Sequence, residues 1–453
     1  MGFQQGLSGL NAAAKNLDVI GNNVANAGTA GFKLSQAQFA DVYASTIGGS
    51  AGSAVGLGTK LSTVAQQFTQ GNISVSNNSM DFAIKGQGFF QLGNSASSAP
   101  QFYSRNGQFQ MDSQGFIVTS DGMRLFGMDK NGIPGPLQIP TAQIPARATG
   151  SSATPNVMVG LNVDARGAIT ATASADPAAP LGALNFNQAD PTTYNNSTST
   201  TIYDSLGNPH VASLYFQKAT PIAADPLAVP PLAASNPWNV YLTIDNVVQQ
   251  PAPGLVVTVP PSAIPMGSLS FDTAGKPPAG SLLTMPAAYT PPLAAPAGGG
   301  IAAAADPMTL TFNFSASTQY GSAFGVSSLV QDGYTTGLPS GFNLSADGTI
   351  LGSYTNGQSQ KLGQVTIANF SNPHGLQPVG SNRWAATSGA GTPLPGAPGT
   401  ASLGVVQSGA IEDANVDLTA ELVNMIIAQR VYQANAQSIK TQDSVLQTIT
   451  NLR

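Results

Sequence analysis

The sequence predicts a mainly β protein with α-helical coiled-coil termini, in which the two terminal helices pair and two β domains are nested between them. Residues 418–453 contain neither Gly nor Pro, the residues that cost most in a helix interior. Much of the remaining chain alternates apolar and polar residues between Asn-Gly and Asp-Gly turns. Of the 33 Pro residues, 22 lie between 146 and 317, so the middle of the chain is built differently from its ends.

The first helix is predicted over 1–25. Its apolar residues recur at spacings of three and four, which places them on one face. They are Phe3, Leu7, Leu10, Ala14, Leu17 and Val24. Gly21 and the pair Asn22-Asn23 weaken the helix towards its end.

The second helix is predicted over 418–453, where it would span roughly 54 Å. Asp417 or Asn415 can cap its start. Its apolar seam follows an imperfect heptad, formed by Leu418, Leu422, Met425, Tyr432, Ile439 and Leu446. For one stripe alone, an ordinary core-facing helix is the simpler interpretation. Two stripes at opposite ends of one chain predict helices that pair and present further apolar surface as an assembly interface.

Between the helices the period of the apolar residues is two, as in β-strands. A first β domain is predicted over 72–145 and 318–403, interrupted by an inserted outer β domain over 146–317 that is rich in Ala and Pro. Residues 26–71 and 404–417 are predicted to be hinges or linkers. Glycine allows the backbone freedom that a hinge needs, and the candidate hinge glycines are Gly48, Gly49, Gly52, Gly56 and Gly58.

Charge is scarce in this chain. Its 16 Lys and Arg and 21 Asp and Glu make up 8% of 453 residues, against about a quarter in ordinary globular proteins. A net charge of -5 offers no basic surface for phosphate backbones, so nucleic-acid binding is not expected. The absence of Cys excludes disulfides, thiol catalysis and Cys-ligated metals.

We expect neither a membrane-spanning segment nor a cleaved signal peptide. No run of about 18 apolar residues occurs, so we expect no membrane insertion. The first residues, MGFQQGLSGL, lack the basic and apolar regions of a cleaved signal peptide. If the protein leaves the cell, we expect it to leave unprocessed.

Two motifs resemble ligand sites only superficially. Residues 52–60 (GSAVGLGTK) resemble a P-loop, but Thr59 stands where the Lys should follow Gly directly. Residues 129–132 (DKNG) resemble the opening of a calcium loop, but no acidic residue closes it, so a turn is predicted.

Catalytic chemistry has little support. His210 and His374 are the two histidines, and both lie in loop-like contexts that predict surface or structural roles. Counting Asp residues does not exclude a two-carboxylate glycosidase, but no spacing favours one. We therefore predict no catalytic, cofactor-binding or metal-binding residues.

Two terminal motifs resemble those of a known family. Residues 25–33 (ANAGTAGFK) are similar to the Ala-Asn-x-x-Thr-x-Gly-Phe-Lys signature of bacterial flagellar rod and hook proteins, and 415–435 are similar to the family's C-terminal signature. The matching signature residues are Asn26, Thr29, Gly31, Phe32 and Lys33. The resemblance covers about 1–145 and 318–453, and extends to 146–317 in position alone.

The resemblance implies a structural role. Length and the inserted segment favour the hook members of the family, with the distal rod subunit as the alternative. Such a subunit would polymerise with copies of itself into a curved, hollow, helical tube, a flexible universal joint that transmits torque from the rod and motor to the filament. The paired helices would form its inner layer, the first β domain the middle layer and the inserted domain the outside.

The resemblance also implies partners and a location. The partners would be the distal rod, the hook cap, the hook-filament junction protein and the flagellar type III export apparatus. The subunit would lie outside the cell, in the flagellum at the cell surface, exported without a cleaved signal peptide.

Two other classes of function fit the neutral, Asn- and Thr-rich β texture. A secreted polysaccharide-active enzyme would turn over a glycan. A surface adhesin would tolerate loss of both terminal helices, whereas an axial subunit would not.

Overall fold

The computed structural model describes residues 2–42, 56–94, 99–151, 156–172, 184–222, 235–249, 265–278, 280–284, 288–289 and 305–451. These residues form two compact units. Unit 1 comprises Met1–Ala142, Pro339–Tyr354 and Gln358–Arg453, and unit 2 comprises Gln143–Leu338 and Thr355–Gly357.

The elements follow one another along the chain in three groups. The N-terminal group is α1 (Gly2–Ala25), β1 (Ser35–Val42), β2 (Gly58–Gln66), β3 (Ile73–Val75), β4 (Phe82–Lys85), β5 (Phe89–Gly93), β6 (Phe102–Ser104), β7 (Phe109–Met111), β8 (Ile117–Thr119), β9 (Arg124–Asp129) and β10 (Pro134–Pro136). The middle group is β11 (Val157–Asp164), β12 (Asn196–Tyr203), β13 (Pro209–Lys218), β14 (Asn236–Ile244), β15 (Val247–Val248), β16 (Gly267–Phe271), β17 (Leu282–Thr284), β18 (Thr311–Asn313), β19 (Thr318–Tyr320) and β20 (Gly325–Gln331). The C-terminal group is β21 (Pro339–Leu344), β22 (Thr349–Tyr354), β23 (Ser359–Val365), β24 (Ile367–Asn369), β25 (Gln377–Gly380), β26 (Arg383–Ala385), β27 (Leu394–Gly396), β28 (Val405–Ser408), β29 (Ala410–Glu412) and α2 (Leu418–Asn451), with a 3-10 turn at Pro373–Gly375.

This arrangement confirms the predicted fold class, a mainly β chain whose terminal helices pair. The helices run antiparallel, since Gly6 near the start of α1 lies against Ile439 of α2, whereas Asn23 near the end of α1 bonds to Glu421. Asp417 caps α2 by accepting hydrogen bonds from the backbone N–H groups of Thr419 (2.9 Å) and Ala420 (3.1 Å).

Unit 1 interleaves strands from both ends of the chain. Its main sheet runs β21-β22-β23-β9-β5-β6-β26-β25, so N-terminal strands lie between C-terminal ones. Two short antiparallel pairs, β4 with β28 and β3 with β29, then bring the end of the chain back beside its beginning. Phe82, Ile84, Phe90 and Val365 are fully buried in the core that these strands enclose.

The described residues of unit 2 form two five-stranded sheets. One runs β17-β18-β11-β19 with β20 also on β11, and the other runs β12-β13-β14-β15 with β16 on β14. Their apolar faces share one core, in which Val157, Phe216, Trp238 and Phe312 are fully buried. Shared burial of the two inner faces stabilises the unit, as in other two-sheet proteins.

The limits of unit 2 differ from those predicted for the inserted domain. Residues 318–338, assigned above to the first β domain, belong to unit 2 because β19 and β20 hydrogen bond to β11. This pairing joins residues more than 150 positions apart, so no local pattern indicates it.

The predicted linkers contain more regular structure than expected. Within 26–71, β1 and β2 form an antiparallel hairpin, and within 404–417, β28 and β29 pair with strands of unit 1. Among the candidate hinge glycines, Gly48, Gly49 and Gly52 lie outside the described residues. Gly58 begins β2 at φ +124°, and a Cβ there would collide with the Ser8 hydroxyl. Because Gly58 has no side chain, the start of β2 can lie in close contact with α1.

A recurring turn explains the calcium-like motif. The side-chain Oδ1 of Asp129 accepts hydrogen bonds from the N–H groups of Asn131 (2.8 Å) and Ile133 (2.8 Å), which closes the hairpin between β9 and β10. The predicted turn is thus confirmed. The same two bonds, to the second and fourth residues ahead, recur at Asp112, Asp204 and Asp272.

His210 ties together three segments of unit 2. Its Nδ1 lies 2.6 Å from Asp245, and its Nε2 lies 3.5 Å from Asp204. Tyr289 donates a hydrogen bond to the same Asp245 oxygen (3.3 Å). Burial alone would raise the pKa of both carboxyls. The hydrogen bonds that they accept outweigh burial, and the pKa of each lies below its ordinary value. Asn208 donates to Asp204, and His210 to Asp245.

We expect unit 2 to lose stability as the pH falls below about 4. A carboxyl whose pKa is lower in the folded state stabilises that state above the unfolded pKa, and this contribution is lost as the pH falls through the folded pKa. Thermal unfolding of a Trp384→Phe chain, followed by fluorescence of the buried Trp238, would report on this unit. When Asp245→Asn is added to this chain, the unfolding midpoint should fall less on lowering the pH than it does in the Trp384→Phe chain alone. Equal falls in the two chains would show that Asp245 does not contribute to the pH dependence.

Candidate functional site

Small residues bring the two terminal helices close together. A Cβ on Gly9 would lie 2.8 Å from Asn435 Oδ1, and one on Gly6 would lie 3.1 Å from Ile439 Cγ1. The buried residues Ala13 and Ile20 continue this face of α1. Each glycine costs about 1 kcal/mol of helix propensity relative to Ala, and the close approach of the helices is what it permits.

One end of the helix pair is fixed by buried polar groups. Asn23 donates from Nδ2 to Glu421 (3.1 Å) and to the Ser35 carbonyl (2.8 Å), while its Oδ1 accepts from the Ser35 N–H (3.0 Å). Asn23 is 1% exposed and Glu421 is 8% exposed. Because these groups are buried, leaving one unpaired would be costly, so they fix the register of α1, α2 and β1.

The residues proposed from sequence for the assembly interface fall into two groups. Five are partly buried in the helix pair, namely Leu10, Leu17, Val24, Met425 and Ile439. Six are exposed, namely Phe3, Leu7, Leu418, Leu422, Tyr432 and Leu446. Most of the proposed stripe therefore faces outward, and the pairing face of α1 is the Gly6, Gly9, Ala13 and Ile20 face beside it.

The first half of α2 also exposes apolar side chains outside its contact with α1. Val423, Ile426, Ile427 and Val431 are each about half exposed, at 51, 51, 54 and 48%. We call these four residues with Leu418 and Leu422 the α2 apolar surface. It borders a groove of about 520 Å³ between α1, α2 and β1, into which Ile20, Phe39, Ile427 and Val431 project. Several large apolar side chains exposed on one helix mark a candidate interaction site.

The signature residues form the turn that leads out of α1. The backbone carbonyl of Asn26 accepts from the Thr29 N–H (3.0 Å), and the carbonyl of Thr29 accepts from the Phe32 N–H (3.1 Å). Gly31 adopts φ +71° and donates its N–H to the carbonyl of Glu412 (2.7 Å). A Cβ at Gly31 would lie 2.7 Å from the Asn106 Cα, so the turn needs glycine here.

Lys33 ends the signature inside a buried ionic group. Its Nζ lies 2.7 Å from Glu412 Oε1, and Arg105 Nη1 lies 3.1 Å from Glu412 Oε2. The side chains of Lys33 and Glu412 are fully buried, and that of Arg105 is 5% exposed. Burial lowers the pKa of Lys33 and of Arg105, partly offset by the charge of Glu412. We call Lys33, Arg105 and Glu412 the ionic cluster.

Asn415 connects the same region to the root of α2. Its Oδ1 accepts from the Leu34 N–H (2.7 Å), and its Nδ2 donates to the carbonyls of Gln67 (2.8 Å) and Thr69 (3.1 Å). Asn415 is therefore not the cap of α2, which is Asp417. It binds the segments that follow α1 and β2 to the segment that precedes α2.

Neither the pairing face of α1 nor the partners of Lys33 were predicted from the sequence. The signal for the pairing face was a seven-residue repeat that contains small residues, formed by Gly6, Ala13 and Ile20. The signal for the partner of Lys33 was that the chain contains two Glu residues, Glu412 and Glu421, both near the C-terminus. The structure shows that both are buried.

Four family models match the chain. Residues 3–33 match "Flagella basal body rod protein", and 83–171 match "Flagellar hook protein FlgE/F/G D1 domain". Residues 162–334 match "Flagellar basal body protein FlaE D2 domain", and 407–452 match "Flagellar basal body rod FlgEFG protein C-terminal".

Similar proteins match over the full length. The flagellar hook protein FlgE of Escherichia coli (strain K12) is 38% identical over 455 residues, and that of Salmonella typhimurium (strain LT2) is 38% identical over 465, each alignment covering 100% of both chains. The flagellar hook protein FlgE of Borreliella burgdorferi is 29% identical, over 99% of this chain and 98% of that protein.

A solved structure shows a similar fold. The crystal structure of Helicobacter pylori flagellar hook protein FlgE2 aligns with a TM-score of 0.50 at 15% identity, over 75% of this chain and 100% of that one. Neither α1 nor α2, as far as each is described, has the length and hydropathy of a membrane-spanning helix.

Proposed function

The chain belongs to the flagellar hook protein family and is a structural subunit of the hook, and we propose that the α2 apolar surface is where one copy binds the next. The full-length match to hook proteins favours this role over the alternative of a distal rod subunit. The observation that supports the proposed surface is the exposure of large apolar side chains around a helix that is already paired.

Energetics support self-assembly through this surface. Burying a Val, Leu or Ile side chain contributes about 1.5 to 3 kcal/mol. The six members of the α2 apolar surface are between 44 and 54% exposed, so contact with a neighbour would gain much of the rest of this contribution. Because a polymer needs contacts that repeat without closing, different patches of successive copies would meet there. The product would be a hollow helical tube that bends as a universal joint and transmits torque.

The proposed partners at the ends of the tube follow from the resemblance. They are the distal rod at one end, the hook cap during growth and the hook-filament junction protein at the other end. The flagellar export apparatus would deliver the subunit to the cell surface.

The direct test is electron microscopy of concentrated protein. We expect the full chain to form tubes and a chain lacking 418–453 to form none, because the truncation removes both α2 and its exposed apolar residues. A chain in which exposed Lys15 and Asp18 are exchanged serves as a control, since that surface ion pair lies outside the proposed contact. Tubes formed by the truncated chain, or no polymer from the full chain under any condition, would contradict the proposal.

A further inference from the structure

We propose that the ionic cluster positions the assembly surface: Glu412, through Lys33 and Arg105, fixes the direction in which both terminal helices leave the strands of unit 1. The inference rests on the proposed function, since it concerns the orientation of the surface assigned there to assembly. The three residues are positioning residues, because they lie outside the α2 apolar surface itself.

Glu412 joins the roots of both helices to the strands. Lys33 lies eight residues after the end of α1, and Glu412 lies six residues before the start of α2. Glu412 also accepts the N–H of Gly71 on Oε1 (2.9 Å) and the N–H of Gly31 on its backbone carbonyl (2.7 Å). Arg105, just after β6, adds a bond to the Gly86 carbonyl (2.8 Å). A single carboxylate thus binds segments that belong to distant parts of the sequence.

The direction of the helices depends on the contacts of Glu412, because the helices pack mainly on each other and on one hairpin. α1 packs against α2, β1 and β2. The hairpin of β1 and β2 is a sheet of its own and is not part of the main sheet of unit 1. The helices and this hairpin therefore form one group. The segments around Lys33, Gly71 and Glu412 join this group to the other strands, together with a hydrogen bond from Trp384 of β26 to Gln66 at the end of β2.

The charges of the cluster make a distinctive prediction. Two buried cations share one anion, and carbonyl oxygens of Thr69 (2.7 Å from Lys33 Nζ) and Gly86 supply further acceptors. Neutralising Glu412 leaves two buried cations without an anion, whereas removing the Lys33 charge leaves a balanced Arg105–Glu412 pair. The double substitution leaves one cation. The effects of the two substitutions should therefore not add: K33M should partly rescue E412Q.

Spin-label distances in the monomer test the inference. The chain contains no Cys, so two introduced cysteines carry the labels. Gln110→Cys on β7 with Gln437→Cys on α2 reports the direction of the helices relative to the strands. Gln4→Cys on α1 with Gln437→Cys reports helix pairing itself. All three positions are exposed.

We expect E412Q to widen the distribution of distances between labels at 110 and 437 about twofold or more, because the helices are no longer held at a fixed junction. The distribution of distances between labels at 4 and 437 should stay narrow. K33M should widen the first distribution less, and K33M/E412Q should be narrower than E412Q. Unchanged width in E412Q, or a double variant wider than E412Q, would overturn the inference. If E412Q does not fold, the distance distribution of K33M is compared with that of K33M/E412Q. A distribution for the double variant no wider than that for K33M would overturn the inference.

Assembly is then measured on unlabelled chains. E412Q is expected to form tubes about tenfold less readily than the unchanged chain, because a misdirected surface must be reordered on binding. Tubes formed by E412Q at the unchanged rate would refute the link to assembly. Failure of the unchanged chain to form tubes would instead refute the proposed function, while the monomer distances would still decide the role of the cluster.

Discussion

A chain carrying Ile427→Gln and Val431→Gln should stay folded and yet fail to form tubes at concentrations at which the unchanged chain forms them. Both side chains are about half exposed, so little monomer packing is lost. Gln also has a helix propensity at least as favourable as that of Ile or Val. A subunit contact that buried the exposed halves of both residues would lose about 1.5 to 3 kcal/mol, equivalent to an association constant lowered about tenfold to a hundredfold. Light scattering and electron microscopy against concentration measure the threshold for assembly.

The matched control for this substitution keeps the apolar surface. Ile427→Leu with Val431→Ile changes shape but not polarity, so its threshold should stay close to that of the unchanged chain. Helical circular dichroism should be equal in both variants. A normal threshold for the Gln variant would remove these two residues from the interface.

Gly31→Ala should destabilise unit 1 by about 2 to 4 kcal/mol. The backbone of Gly31 has φ +71°, which an L side chain rarely adopts, and the new Cβ would collide with the backbone of Asn106. Relief requires the turn to move away from Asn106, which would stretch the Gly31 bond to Glu412 and open the ionic cluster. Denaturant unfolding and hydrogen exchange of the Gly31 and Lys33 amides measure the effect.

A second glycine in the same turn provides the control. A Cβ on Gly28 would meet nothing within 4 Å, and its φ lies outside the left-handed range. Gly28→Ala should therefore change stability by no more than about 0.5 kcal/mol in either direction. Equal effects of the two substitutions would show that the turn tolerates a side chain at Gly31.

The preference for Asp over Glu in this chain is explained by what the acidic residues bind. Asp greatly outnumbers Glu in this chain, and Asp112, Asp129, Asp204 and Asp272 each bind backbone N–H groups of a tight turn. The short Asp side chain reaches the backbone just ahead of it, which the longer Glu side chain does less well. The two Glu residues serve instead as buried anchors, Glu412 in the ionic cluster and Glu421 between the helices.

Features encoded by neighbouring residues were predictable. The absence of Gly and Pro gave the position of α2, and its Asp417 cap is confirmed by two hydrogen bonds. Turn dipeptides marked several hairpins, as at 131–132, because local dihedral preferences determine such turns. The signature at 25–33 marked the family without revealing what its lysine binds.

The sequence by itself therefore determined the two terminal helices, the β character of the chain between them and the family. Each of these depends on periodicity, propensity or a motif within a few tens of residues. The tertiary structure decided which face of α1 packs on α2, leaving Phe3 and Leu7 outside, and it paired Lys33 with Glu412, 379 residues away. The physical reason is that close packing and buried charge pairing depend on the shapes and charges of segments that meet only when the chain has folded.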